Sequence, residues 1–206
     1  MHIVQPIRSL EKIQEVKQYL KKKSERDYFL FIFGMNSALR ISDVLPLRVR
    51  DVRNKDHVWA TESKTRKKRK ILILESLKAD IYAYTKDMKE NDYLFKSKRT
   101  NKPISRIQAY RILKEAAAAC GLEEIGTHTL RKTFGYHFYQ RTKDIAELQR
   151  ILNHSSPSIT MRYIGIDEDT TRAACIRRTV GLKKTAASVT IIEAGSSSTA
   201  DSAAVS

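Results

Sequence analysis

The stretch from Asp27 to Leu39, DYFLFIFGMNSAL, constrains the fold more than any other part of the chain. Wound as a helix it is apolar on nearly every side, and such a helix has to be enclosed by other elements. Ser24 and Asp27, three apart ahead of it, have the pattern of a capping box. This segment is therefore predicted to be a central helix, with the rest of the chain as its cover. With 206 residues, 41% of them hydrophobic, the chain has the material for one well-packed domain and not clearly for two.

The covering elements follow from periodicity and caps. Ser9 opens a helical pattern in which Leu10, Ile13, Val16 and Leu20 recur on one side. A short helix or turn is expected around Arg40 to Leu45. The runs HVWAT (57–61) and RKILIL (69–74) read as two strands. The basic segment ESKTRKKR between them makes a hairpin with a positively charged tip. Beyond it, 75–90 reads as one helix, and Ser105 caps another that stops at Gly121. Thr127 precedes HTLRKTFGYHFYQR, Asp144 precedes IAELQRIL, and Ser156-Pro157 is a cap and first turn for SITMRY. A last helix is expected over 168–178. The fold class is mainly α with a small antiparallel β-sheet (α+β). The domain covers 1–182. From 183 to 206 the composition turns to Ala, Ser, Thr and Val, predicting a disordered tail or one that orders against a partner.

Charge narrows the partner. Lys and Arg total 39 against 23 Asp and Glu, a net of +16. In 183–206 the charges of Lys183, Lys184, Glu193 and Asp201 cancel, so the excess lies in 1–182. Such a surface attracts a polyanion, with nucleic acid the leading candidate. Charge alone leaves open a merely basic protein or one that touches anionic membrane. Cys120 and Cys175 have no metal-ligand spacing and are expected to be reduced. No run of eighteen apolar residues is present, and MHIVQPIRSLEK lacks a secretory pattern, so a cytoplasmic protein without membrane contact is expected.

Phosphodiester transfer without a metal needs donors on the non-bridging oxygens, a nucleophile, and an acid for the leaving oxygen. Arg forks fit such oxygens best, and each fixed donor aimed at developing charge is worth about 10²–10³ in rate. Arg40 emerges from the apolar helix, with Asp43 nearby as an ion-pair partner. Lys64, Lys67, Lys68 and Arg69 lie in or beside the basic hairpin tip, where they would touch DNA backbone. His128 and Arg131 share a face at a helix start, where the helix terminus itself favours phosphate. His154 precedes Tyr163 by nine residues.

Taken in order, Arg40, Lys64, His128, Arg131, His154 and Tyr163 resemble the active-site pattern of the tyrosine recombinase, or phage integrase, family. The segments A-L-R-I-S-D-x-L, T-H-x-L-R-x-T-F and L-x-H-S-S-x-x-x-T-x-x-Y are similar to its motifs over roughly residues 5–180. The resemblance implies that Tyr163 attacks the scissile phosphate and becomes joined to the DNA 3′ phosphate. It implies that Arg40 and Arg131 clamp the non-bridging oxygens and Lys64 protonates the leaving 5′ oxygen. His128 would assist proton handling, His154 would hydrogen-bond the phosphate, and Asp43 would brace Arg40. No metal, ATP or other cofactor is implied. The partner is double-stranded DNA with specific sites, bound by a homotetramer that is a monomer or weak oligomer when free. Residues near 168–182 would pack into a neighbouring protomer. Three positions depart from the pattern: Asn153 in place of a glycine, Lys132 in place of a second histidine, and an S-K-T lysine loop. With its first arginine at position 40, the chain has no room for the N-terminal domain that most members carry. That makes it a minimal recombinase or a catalytic fragment, with weak, salt-sensitive DNA binding. Two other readings stay open at this stage: a type IB topoisomerase-like enzyme and a non-enzymatic helical DNA-binding regulator.

Overall fold

In the computed structural model the described residues are 4–61, 68–123 and 125–166. The central helix α2 (Glu25–Ser37) has Phe29, Leu30, Phe31, Ile32, Phe33 and Met35 all buried, as its all-round apolar sequence demands. Helix α1 (Leu10–Lys23) lies against it through Ile13, Val16 and Leu20, while Leu10 stays exposed. Ser9 caps α1 by accepting from the Lys12 N–H. Ser24 caps α2 at 3.4 Å from the Asp27 N–H, but the predicted box is only half formed. The Asp27 carboxylate is buried and pairs with Arg26 instead of reaching back to the cap.

Beyond α2 come the one-turn helix α3 (Ile41–Val44) and a 3-10 turn, Val49–Asp51. Strands β1 (His57–Thr61) and β2 (Lys68–Leu72) pair antiparallel, with His57 opposite Leu72 and Thr61 opposite Lys68. The second strand is shorter than its apolar run, because Leu74 becomes the N-cap of α4 (Glu75–Thr85). Helix α4 also stops five residues short of the predicted 90. The Arg53 side chain donates to the Thr85 carbonyl and, at 2.8 Å, to the Met88 carbonyl, so a distant arginine terminates the helix. Helix α5 (Arg106–Ala119) starts at the Ser105 cap and ends before Gly121, whose φ of 66° suits the left-handed exit. The hairpin tip lies outside the described residues, as do the helix expected at 168–178, the 183–206 tail and Cys175.

Helices α6 (Thr129–Thr142), α7 (Ile145–Leu152) and α8 (Pro157–Tyr163) complete the unit, with caps at Asp144 and Ser156 as predicted. Helix α6 crosses α2 closely because Gly34 leaves room for Leu130: a Cβ at Gly34 would lie 2.5 Å from Leu130 Cδ1 and 3.3 Å from its Cβ. On the far side of α2, Phe29 stacks on Tyr84 with centroids 4.2 Å apart and lies 5.9 Å from Phe95. Burial pushes the Tyr84 phenol up to about 12, and its hydroxyl donates to the Leu94 carbonyl at 2.6 Å.

Gly34→Ala is expected to overpack the α2–α6 contact. The loss should be about 1–3 kcal/mol, the usual range for an added methyl group in a filled core. Urea denaturation should show a lower midpoint with an unchanged slope.

Candidate active site

Arg131 lies one turn into α6 and is only 3% exposed. Its two terminal nitrogens donate to the carbonyls of Ala38 and Leu152. Ala38 is the left-handed C-cap of α2, and Leu152 is the last residue of α7. Helix ends leave carbonyls without partners and carry partial negative charge, so a cation there is favoured twice. These two bonds fix the plane of the guanidinium.

Arg40 stands two residues beyond Ala38, as the half-buried cap of α3. Its charge acts on the same three groups as that of Arg131. The His128 imidazole is held below its ordinary range by burial, then by Arg131, Arg40 and Lys132. His154 is pushed down to about 4 by burial and the same two arginines. The Tyr163 phenol is raised by burial, with Arg131 and Arg40 opposing the rise. Arg40, His128, Arg131, His154 and Tyr163 thus lie within electrostatic reach of one another, though they come from four separate stretches of sequence.

Local structure explains how each side chain reaches it. His128 is the N-cap of α6, so one helix start delivers both His128 and Arg131. Asn153 has φ 51° and ψ 52°, which places His154 in the turn between α7 and α8. A left-handed residue is required there, and asparagine is the common substitute for the glycine of the motif. His154 Nδ1 lies 3.1 Å from Thr160 Oγ1, whose hydroxyl also lies 3.2 Å from the Ser156 carbonyl. That hydroxyl has one proton. Given to Ser156, it leaves Nδ1 as donor and Nε2 as acceptor. Turned to Nδ1, it makes Nε2–H a donor for a phosphate oxygen without charging the ring.

Tyr163 is the last residue of α8. Its ring meets His154 edge-on, with centroids 4.9 Å apart and planes at 73°. Lys132 Nζ lies 5.2 Å from the centre of the same ring. The phenol oxygen is buried and has no well-formed hydrogen bond among the described residues. Ile164, the next residue, packs on α6 because Gly135 is bare: a Cβ there would come within 2.8 Å of Ile164 Cγ2.

Some predicted residues fall elsewhere. Asp43 forms no ion pair with Arg40 among the described residues; its carboxylate accepts from the Ser42 hydroxyl at 3.2 Å. Lys64 and Lys67 lie outside the described residues, as does the Arg69 side chain. Lys68 is exposed at the end of β2 nearest the tip. Sequence reasoning passed over a basic run. Residues 93–114 hold Lys96, Lys98, Arg99, Lys102, Arg106, Arg111 and Lys114, all exposed, and no carboxylate. Its signal was present in the bare charge pattern. Thr160 stood in the motif without a role until its contact with His154 supplied one.

The mainly helical fold with its small antiparallel sheet is one shared with enzymes that break and rejoin DNA. The chain belongs to the phage integrase family, whose model matches residues 8–169. It is 90% identical over 174 residues to the probable integrase/recombinase YoeC of Bacillus subtilis (strain 168), covering 84% of this chain and 96% of that protein. It is 30% identical to tyrosine recombinase XerA of Pyrococcus furiosus over 74% of this chain, but spans only 54% of that protein. Two solved structures share the fold. The XerA recombinase superposes with a TM-score of 0.68 at 21% identity, over 84% of this chain and 65% of the other. XerH bound to a palindromic difH substrate in a post-cleavage complex superposes at 0.66 with 18% identity, over 84% and 53%.

The two depressed histidines give a pH expectation. Both are held neutral by the fold below their ordinary 6.5. Their contribution to stability is therefore complete above pH 6.5 and is lost as pH falls towards about 4, where His154 titrates. In an NMR titration of the DNA-free protein, His154 should be the last imidazole to protonate. A bound phosphodiester should move its midpoint upward.

Proposed function

We propose that this chain is a site-specific recombinase that cuts and rejoins DNA strands through a 3′-phosphotyrosine intermediate. The electrostatic action of both Arg40 and Arg131 on the Tyr163 phenol supports this reading. The Tyr163 oxygen attacks phosphorus as the bond to the 5′ oxygen breaks. The two arginines hold the non-bridging oxygens while negative charge grows on them. His154 Nε2 adds a hydrogen bond to one of those oxygens. His128 takes part in moving the phenol proton, and Lys64 gives the leaving 5′ oxygen its proton. Attack by a 5′ hydroxyl from another strand then restores the phosphodiester and frees the tyrosine. Bond energy is conserved through both steps.

DNA backbone would be held by Lys67, Lys68 and Arg69 on the hairpin and by the carboxylate-free run 93–114. Strand exchange between two sites requires several protomers, and we infer a homotetramer on DNA that is a monomer or weak oligomer when free. A groove of about 1080 Å³ between α1, β2, α6 and α7 is lined by Leu10, Leu72, Phe134, Phe138 and Ile151. It suits the apolar side chains of segment 168–182 of a neighbouring protomer, Ala173, Ala174, Ile176, Val180 and Leu182. Residues 1–182 would form the catalytic domain and 183–206 a tail, in a cytoplasmic protein. The relatives named above are recombinases and integrases, which leaves the topoisomerase-like and regulator readings without support.

The test uses a pool of nicked duplexes with randomised cores, from which covalently bound DNA is recovered after denaturation. Wild type should yield an adduct on a defined sequence class, and Tyr163→Phe none. Arg40→Ala should slow adduct formation by about 10²-fold or more, the scale for losing one donor to the transition state. Lys64→Ala should be rescued by a 5′-bridging sulfur, which leaves without a proton. An adduct in Tyr163→Phe, or none in wild type across the whole pool, would defeat the reading.

On the selected duplex, affinity should fall by about 10³-fold or more between 50 and 200 mM salt, as expected when six or more phosphates are neutralised. Nearly flat affinity in a fluorescence anisotropy titration would contradict binding through the basic surfaces.

A further inference from the structure

Residues 4–8, Val4 to Arg8, belong to no helix or strand, yet they bind two elements of the site together. The Ile7 N–H donates to Thr133 Oγ1 at 2.9 Å, and its carbonyl accepts from His137 Nε2 at 2.9 Å. Thr133 and His137 are one turn apart on α6, so the strap lies along one face of the helix that carries Arg131. Ile7 itself is 3% exposed. Arg8 continues the strap. Its Nη2 donates to the Gly165 carbonyl at 3.1 Å, and its guanidinium lies 5.6 Å from the centre of the Tyr136 ring. Gly165 follows Tyr163 by two residues, with φ 75°. A Cβ there would fall 2.9 Å from Arg8 Nη2 and 3.3 Å from Gln5 Oε1, so the turn is filled by the strap.

Helix α8 has seven residues, too few to hold a direction by itself. Ile164 on Gly135 fixes its C-terminal end on α6. Arg8 fixes the turn just beyond, through a contact that spans 157 positions of sequence. We propose that Arg8 is a positioning residue for strand cleavage. By joining Gly165 to Tyr136 it pins the end of α8 against α6 and aims the Tyr163 phenol at the arginine pair. The catalytic consequence rests on the recombinase reading above, whereas the pinning does not.

The experiment therefore has one arm without DNA. Full-length wild type, Arg8→Met and Arg8→Lys are treated with N-acetylimidazole, and acetylation at Tyr163 and Tyr84 is followed by peptide mass mapping. Methionine keeps the packing of the stem and removes the donor. Tyr84, partly buried on the other side of α2, reports general loosening. Arg8→Met should raise the rate at Tyr163 several-fold with Tyr84 unchanged, and Arg8→Lys should restore most of the protection. In the second arm, on the duplex selected by wild type, Arg8→Met should form adduct about tenfold more slowly at saturating DNA. That is the scale for a nucleophile displaced by less than 1 Å. Its DNA affinity should stay within about twofold of wild type, because the bonds Arg8 makes are internal.

Unchanged acetylation at Tyr163 would overturn the proposal, as would a parallel rise at Tyr84. If the second arm is silent because wild type forms no adduct, the recombinase reading fails while the first arm still decides the pinning. A Tyr163 rise with an unchanged cleavage rate would overturn the positioning role. Should Arg8→Met be too unstable to purify, Gly165→Ala crowds the same contact from the other side and is read by the same two criteria.

Discussion

A single buried guanidinium organises the site. Arg131 joins the C-terminal ends of α2 and α7, which are separated by more than a hundred residues of sequence, through the carbonyls of Ala38 and Leu152. The left-handed turn at Ala38 directs the chain into Arg40, and the end of α7 leads through Asn153 into His154. The residue that would bind phosphate also sets where its two neighbours stand. Stability and chemistry cannot be separated at this position. Loss of the side chain would leave two buried carbonyls unpaired as well as a phosphate unclamped.

The electrostatics of these groups point one way. Two guanidiniums act on a cluster of half-buried groups whose neutral forms are favoured, and the histidines respond by losing their protons readily. Tyr163 faces the opposite balance: burial resists the phenolate more than the arginines favour it. The resting nucleophile is therefore protonated. A phosphodiester bound beside the two arginines would supply negative charge to balance theirs. It would ease histidine protonation while the phenol gives up its proton in the attack. Preorganised positive charge of this kind acts most strongly where negative charge develops in a transition state.

Much of this was legible in the sequence where the cause is local. Ser9, Ser105, Asp144 and Ser156 announce their helices because a cap reads only the next three residues. The burial of α2 follows from its own composition. Asn153 looked like a departure from the motif and proves to meet the same left-handed requirement as glycine. What stayed hidden depends on partners far along the chain. Helix α4 ends early because Arg53 takes its carbonyls, the half-formed box at Ser24 reflects the pairing of Asp27 with Arg26, and the Asp43 carboxylate accepts from Ser42 instead of pairing with Arg40. The basic run 93–114 was visible as charge but belonged to no motif, so it drew no attention.

Lys132 shows how a motif residue can be replaced without losing the logic of the site. A histidine at that position would offer a ring nitrogen, whereas lysine extends an ammonium over the Tyr163 ring, 5.2 Å from its centre. A cation over an aromatic face is attracted to its negative quadrupole, so Lys132 helps hold the ring in place. It also adds to the positive potential that keeps His128 neutral. One substitution thus shifts a contribution from hydrogen bonding to field and packing, and the point where two arginines meet the phenol keeps its sign of charge. The constraint on such a site lies less in which cation stands at each rim position than in the placement of the two guanidiniums at its centre.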